Sequence, residues 1–165
     1  MRDGSRGRLG PMLACASAMK ITDAFIAEHA VLYAQLDHLE KAVPAAKTAG
    51  EVKAMAGVLE AALRSHADLE DELLFDGLEP GLDQLGKLEK VQHEHDALCK
   101  GLALVKASRA LKDARRYLMN VVHLARKEFD LEDRVIFKLA DDLLHHDTLE
   151  KLGRIWARRR TVPAR

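Results

Sequence analysis

Three histidines and three glutamates, His29, His66, Glu70, His95, Glu128 and Glu132, fall on helical stripes that are otherwise apolar. His29 interrupts the row Phe25, Leu32, Leu36, Leu39, while His66 and Glu70 interrupt Leu59, Leu63, Leu73. His95 lies among Leu88, Val91, Leu98, Leu102 and Val105, and Glu128 with Glu132 among Ala114, Leu118, Val121, Ala125, Val135 and Leu139. Taking so many ionisable groups out of water costs several kcal/mol per ion unless they pair or bind a cation. Imidazole nitrogens and carboxylate oxygens together form a donor set for a transition metal. The pairs His66 with Glu70 and Glu128 with Glu132 are four residues apart and so share one helix face, which aims each pair at one centre.

An internal repeat arranges these residues. Glu28-His29-Ala30-Val31-Leu32 recurs 66 positions later as Glu94-His95-Asp96-Ala97-Leu98. His66-x-x-x-Glu70 followed by Leu74-Phe75 recurs 62 positions later as Glu128-x-x-x-Glu132 followed by Ile136-Phe137. Two helical hairpins, each giving one His from its first helix and a pair from its second, would enclose a two-metal site.

The elements that must hold them are helices. A chain of 165 residues, 48% apolar and 32% charged, fills and coats one core. Val, Ile and Thr total only 18 residues and aromatics 4%, so Leu and Ala set a helical bias. Pro11, Pro44, Pro80 and Pro163 all lie outside the long periodic stretches. The first amphipathic segment runs from about Thr22 to Val43 and ends at Pro44. The second starts at a capping box of Thr48 and Glu51, runs to about Phe75 and closes at Gly77, Pro80 and Gly81. The third and fourth carry the stripes through His95 and Glu128, and residues 146–160 form a shorter helix, basic at its end. Short connections make neighbours antiparallel, so the expected fold is all-α, an antiparallel up-down four-helix bundle with a short C-terminal fifth helix. Residues 1–19 read as a disordered tail ahead of a domain over 20–160. The apolar stretch before Cys15 is too short and interrupted for an export signal.

Lys and Arg total 26 and Asp and Glu 26, so there is no global field to hold nucleic acid or an anionic membrane. No apolar run approaches the roughly 20 residues of a bilayer span. With only Cys15 and Cys99 there is no disulfide framework, and a cytoplasmic location is expected.

The two Glu-His-x-x-Leu segments, together with His66-x-x-x-Glu70 followed by Asp71 and Leu74-Phe75, resemble the hemerythrin-like domain, also called the HHE cation-binding domain. The resemblance spans roughly residues 20–145. It implies four antiparallel helices holding two iron ions in a non-haem di-iron centre. His29, His66 and His95 match the terminal nitrogen ligands of that family, and Glu70 and Glu132 its bridging carboxylates. It implies O2 as ligand, or a related small molecule such as nitric oxide or peroxide, or a role in iron homeostasis. A binding protein is the expectation, with a ferroxidase or peroxide-consuming oxidase as the alternative and a structural bundle with a decayed site as a third.

Two departures from the family stand out. Its fourth helix usually carries His-x-x-x-Glu, and here the His position holds Glu128. The oxygen carriers place a further His where Val91 stands and use a His-x-x-x-x-Asp pair on helix four, which His123 with Glu128 imitates. Glu128 and Glu132 lie about 40° apart on a helix, but His123 and Glu128 about 140°, so phase favours the glutamate pair while the histidine pair stays as a rival. A first coordination sphere of three His and three Glu is harder than a five-His one and favours ferric iron, hence a centre that oxidises readily. His38, His93, His145 and His146 read as surface, Cys99 as a buried structural thiol with a place bordering the site as its alternative, and Arg158, Arg159 and Arg160 as a solvated tail.

Overall fold

Helix accounts for nearly all of residues 19–75, 78 and 88–161, which are the residues described by the computed structural model, and no strand occurs among them. In chain order they are α1 (Ile21–Ala45), α2 (Ala49–Glu70), α3 (Leu88–Ala107), α4 (Leu111–Leu131), α5 (Phe137–Leu143) and α6 (His146–Arg160). No helix among these residues is long and apolar enough to cross a membrane. The tail of residues 1–18, the closing turn at Gly77, Pro80 and Gly81, and the stripe side chains Leu88 and Val91 lie outside what is described.

Local chemistry sets the helix ends. Thr48 Oγ1 accepts the Glu51 N–H at 3.1 Å, and Glu51 Oε2 accepts from the Lys47 N–H at 2.6 Å, so the return arm of the box reaches one residue further back than expected. Pro44 sits inside the last turn of α1 rather than ending it. The helix closes at Ala46, whose N–H reaches the Ala42 and Val43 carbonyls and whose own carbonyl accepts from Arg115 of α4.

Two π-helical turns were not legible as such. Asp71–Phe75 directly follows α2, and Glu132–Ile136 joins α4 to α5. Each adds one residue to a turn, shifting the phase of everything after it. The expected stripe through Val135 and Leu139 is therefore displaced by one position, and Ile136, Phe137 and Ala140 are the buried residues instead.

The helices enclose two apolar clusters. One joins Leu32, Leu36 and Leu39 of α1, Leu59 and Leu63 of α2, Leu98 and Leu102 of α3, and Leu118, Val122 and Phe129 of α4. The other joins Ile21 and Phe25 of α1 with Leu73 to Phe75, Ile136, Phe137 and Leu149. Arg126 of α4 ties α1 through Asp37 and Glu40. Gly153 of α6 lies so close to the start of α1 that a Cβ there would come within 1.9 Å of the Met19 carbonyl oxygen.

Gly153 and Gly57 should therefore respond oppositely to alanine. Gly57 faces open space on α2, so Gly57→Ala should stabilise the chain by about 0.5–1 kcal/mol. Gly153→Ala must push α6 off backbone and should cost about 1–3 kcal/mol. Thermal unfolding of both variants checks this, and a stabilised Gly153→Ala would contradict the α6 packing.

Candidate metal centre

Between the two apolar clusters lies one polar layer. His29 falls one turn after Phe25 and one before Leu32, and His66 falls between Leu63 and Leu69, so each helix switches from one cluster to the other across its ligand-type residue. His29, His66, Glu70, Glu128 and Glu132 are all buried, and His95 is the most open of the six, with 22% of its side chain exposed.

The six residues form two groups that share a member. His29, His66, Glu70 and Glu132 bring one donor atom each within 4.8 Å of one another, and so do His95, Glu128 and Glu132. In the first group His29 Nε2 and His66 Nε2 face each other at 2.9 Å, with Glu70 Oε2 at 3.2 Å from His66 and Glu132 Oε2 at 3.4 Å from His29. In the second, His95 Nε2 is 3.0 Å from Glu128 Oε1. Despite these short approaches, both oxygens of Glu70, both of Glu132 and Oε1 of Glu128 have no aligned hydrogen-bond donor among the described residues. Imidazole nitrogens and carboxylate oxygens gathered this closely form two groups that could each hold a metal ion.

The outer nitrogens of the two buried histidines are held by carboxylates. His29 Nδ1 meets Asp133 Oδ1 at 2.7 Å, and His66 Nδ1 meets Glu28 Oε2 at 2.7 Å. A carboxylate can only accept, so it fixes the proton on Nδ1 and turns Nε2 inward, the arrangement that metal-binding imidazoles require. The rings are clamped as well: Phe129 stacks on His29 at 4.4 Å between centroids, and Phe25 meets His66 edge-on at 5.6 Å.

Electrostatics reflect the crowding. Burial pushes Glu132 up from the usual carboxylate range, and the charge of Glu70 pushes it further. Burial likewise raises Glu128, with His95 opposing and Glu132 reinforcing the rise. Burial works to lower His66, but Glu70 and Glu28 overcome it and raise the ring to about 10. His95 is raised to about 9 by Glu128 against the same burial. Protons thus hold the positions that cations would compete for.

A cavity of about 510 Å³ reaches this layer between α2 and α3, walled by Leu63, Leu98, Leu102 and Phe129 and floored by His66, Glu70, His95, Glu128 and Glu132. Cys99 is exposed and lines this cavity, so it takes the alternative place bordering the site and is not a buried structural thiol. His123 is exposed on α4, away from the buried Glu128 and Glu132, and takes no part in either group. His38, His93, His145 and His146 are exposed as expected. The arginines differ from expectation: Arg159 pairs with Glu72 and Arg160 with Glu28. Glu28, Asp133 and Arg160 were missed from sequence, although Glu28 recurs in the repeat as Glu94, and Asp133 as the counterpart of Asp71, 62 positions earlier. Comparison with protein-family profiles, with curated proteins and with solved structures gives no match to this chain.

Glu132→Gln removes charge from the most crowded point while keeping its shape. Without metal it should raise the melting temperature by a few degrees, from about 1–2 kcal/mol of relieved charge burial at about 2–4 °C per kcal/mol. Added divalent metal should raise the melting temperature of the wild-type chain and leave the variant nearly unmoved. A metal-free variant that melts below wild type would contradict the account of an uncompensated carboxylate.

Proposed function

We propose that this chain is a hemerythrin-like non-haem di-iron protein that binds or senses O2 or a related small molecule, nitric oxide or peroxide, or serves iron homeostasis. The observation that carries this reading is the pair of His and Glu groups joined through Glu132, with buried carboxylate oxygens that accept no aligned hydrogen bond among the described residues. His29, His66, Glu70 and Glu132 would hold one ion, and His95, Glu128 and Glu132 the other. The proposed frame is an antiparallel up-down four-helix bundle of α1, α2, α3 and α4 continued into α5, with α6 as the added helix. A cytoplasmic setting, where iron is kept ferrous, suits it.

Bound ferrous iron supplies electrons and a Lewis-acidic coordination position. The chain's own part is to shape what reaches it. Leu63, Leu98, Leu102 and Phe129 give the cavity an apolar wall beside the layer, and Glu60, Arg64, Asp68 and Lys106 line it as well. Phe129 and Phe137 cover the His29 ring, excluding water from that side of the layer. Glu28 and Asp133 accept from the outer ring nitrogens and so turn Nε2 of each ring toward the layer.

The cavity also favours a second reading. Its volume far exceeds what a diatomic molecule requires, and the group around His95 is richer in carboxylate than in imidazole. Both features suit a ferroxidase or a peroxide-consuming oxidase, in which a substrate enters and turns over.

Anaerobic loading with ferrous iron, followed by metal analysis and an absorption spectrum on admitting air, tests the proposal. Two irons per chain and new near-ultraviolet and visible bands are expected. Bands that fade when oxygen is removed identify a carrier, and bands that persist an oxidase. Glu132→Ala should retain less than one iron per chain. One iron or none in the wild-type chain, or two in Glu132→Ala, would overturn the reading.

A further inference from the structure

We propose that Arg160, at the end of α6, is a positioning residue of the metal centre, acting on His66 through Glu28. This rests on the metal-binding reading above and assigns a residue more than 90 positions away in sequence to one of its two cation positions.

Glu28 is the junction. Its Oε1 accepts from Trp156 Nε1 at 2.7 Å and Arg160 Nε at 2.6 Å. Its Oε2 accepts from Arg160 Nη2 at 2.9 Å and from His66 Nδ1 at 2.7 Å. The guanidinium therefore grips both carboxylate oxygens, the planar two-point contact that lysine cannot make. The same guanidinium donates to Ser65, to Oγ at 2.5 Å and to the carbonyl at 3.0 Å, and Ser65 immediately precedes His66. One side chain thus fixes α1 at Glu28 and α2 at Ser65, and the ring of His66 has its rotation set from both sides. Its inner nitrogen is left aimed at His29 Nε2 and Glu70 Oε2.

The other half of the repeat lacks this device. Glu94, the counterpart of Glu28, contacts Lys127 at 3.2 Å, and its second oxygen has no hydrogen-bond partner among the described residues. The residue it would support is Glu128, which has no ring nitrogen to receive that support. Arg160 therefore acts on the His29, His66, Glu70 and Glu132 position and leaves the His95, Glu128 and Glu132 position alone.

Calorimetric titration of the full-length metal-free chain with ferrous iron under anaerobic conditions tests this. Arg160→Ala should weaken one of two binding events about 10–100-fold, the usual effect of removing a partner behind a metal-binding histidine, and leave the other unchanged. Arg160→Lys keeps the charge and the docking of α6 and should recover only part of the loss. Arg159→Ala, which breaks the contact with Glu72, should match wild type. Fluorescence of Trp156, the only tryptophan in the chain, reports whether α6 stays docked in each variant. Unchanged affinities in Arg160→Ala, or equal weakening of both events with full rescue by lysine, would overturn the positioning role. A wild-type chain that takes up no iron would instead remove the metal reading itself, and this inference with it.

Discussion

The carboxylate of Glu132 lies 1% exposed among Glu70, His29 and His66, and among the described residues neither of its oxygens accepts an aligned hydrogen bond. Burying Glu132 there, like burying Glu70 beside it, is costly, because an ion withdrawn from water loses several kcal/mol unless something equally strong replaces the solvent. The surrounding structure makes sense as a means of keeping that residue where it is. Apolar clusters seal the layer on either side, and Phe129 and Phe137 lie flat against His29. A stable core of this size would be simpler with six leucines, so stability alone does not account for the layer.

Both π-turns begin at the carboxylates. Asp71–Phe75 starts immediately after Glu70, and Glu132–Ile136 starts at Glu132 itself. Glu132 faces the layer, and the adjacent Asp133 reaches the outer nitrogen of His29. The same logic acts from outside the layer at Glu28, where α6 closes over α1 and contributes Trp156 and Arg160. The two halves of the repeat thus differ at this point: Glu28 is held by Trp156 and Arg160 of α6, and its counterpart Glu94 by Lys127 of α4.

Much of this was legible in the sequence, for reasons that differ by residue. The stripe through Phe25, His29, Leu32, Leu36 and Leu39 emerges buried position for position, because α1 keeps one helical phase throughout. The convergence of His29, His66, Glu70 and Glu132 followed from two periodicities and one repeat. Val135 and Leu139 failed because periodicity cannot register a single inserted residue, and Ile136, Phe137 and Ala140 took their places. Cys99 failed as a buried thiol because it lies on the cavity side of α3, one turn after His95, where it borders the site. Arg160 failed because a basic run at a helix end has the same composition whether it meets solvent or a buried glutamate. Only the fold brings it to Glu28.

The most direct measurement is a crystal structure of iron-loaded protein with anomalous differences collected on either side of the iron absorption edge. The account predicts two iron peaks flanking the carboxylate of Glu132, one against His29, His66 and Glu70 and the other against His95 and Glu128. No peak in the layer, or a single peak that leaves Glu132 uncoordinated, would contradict it.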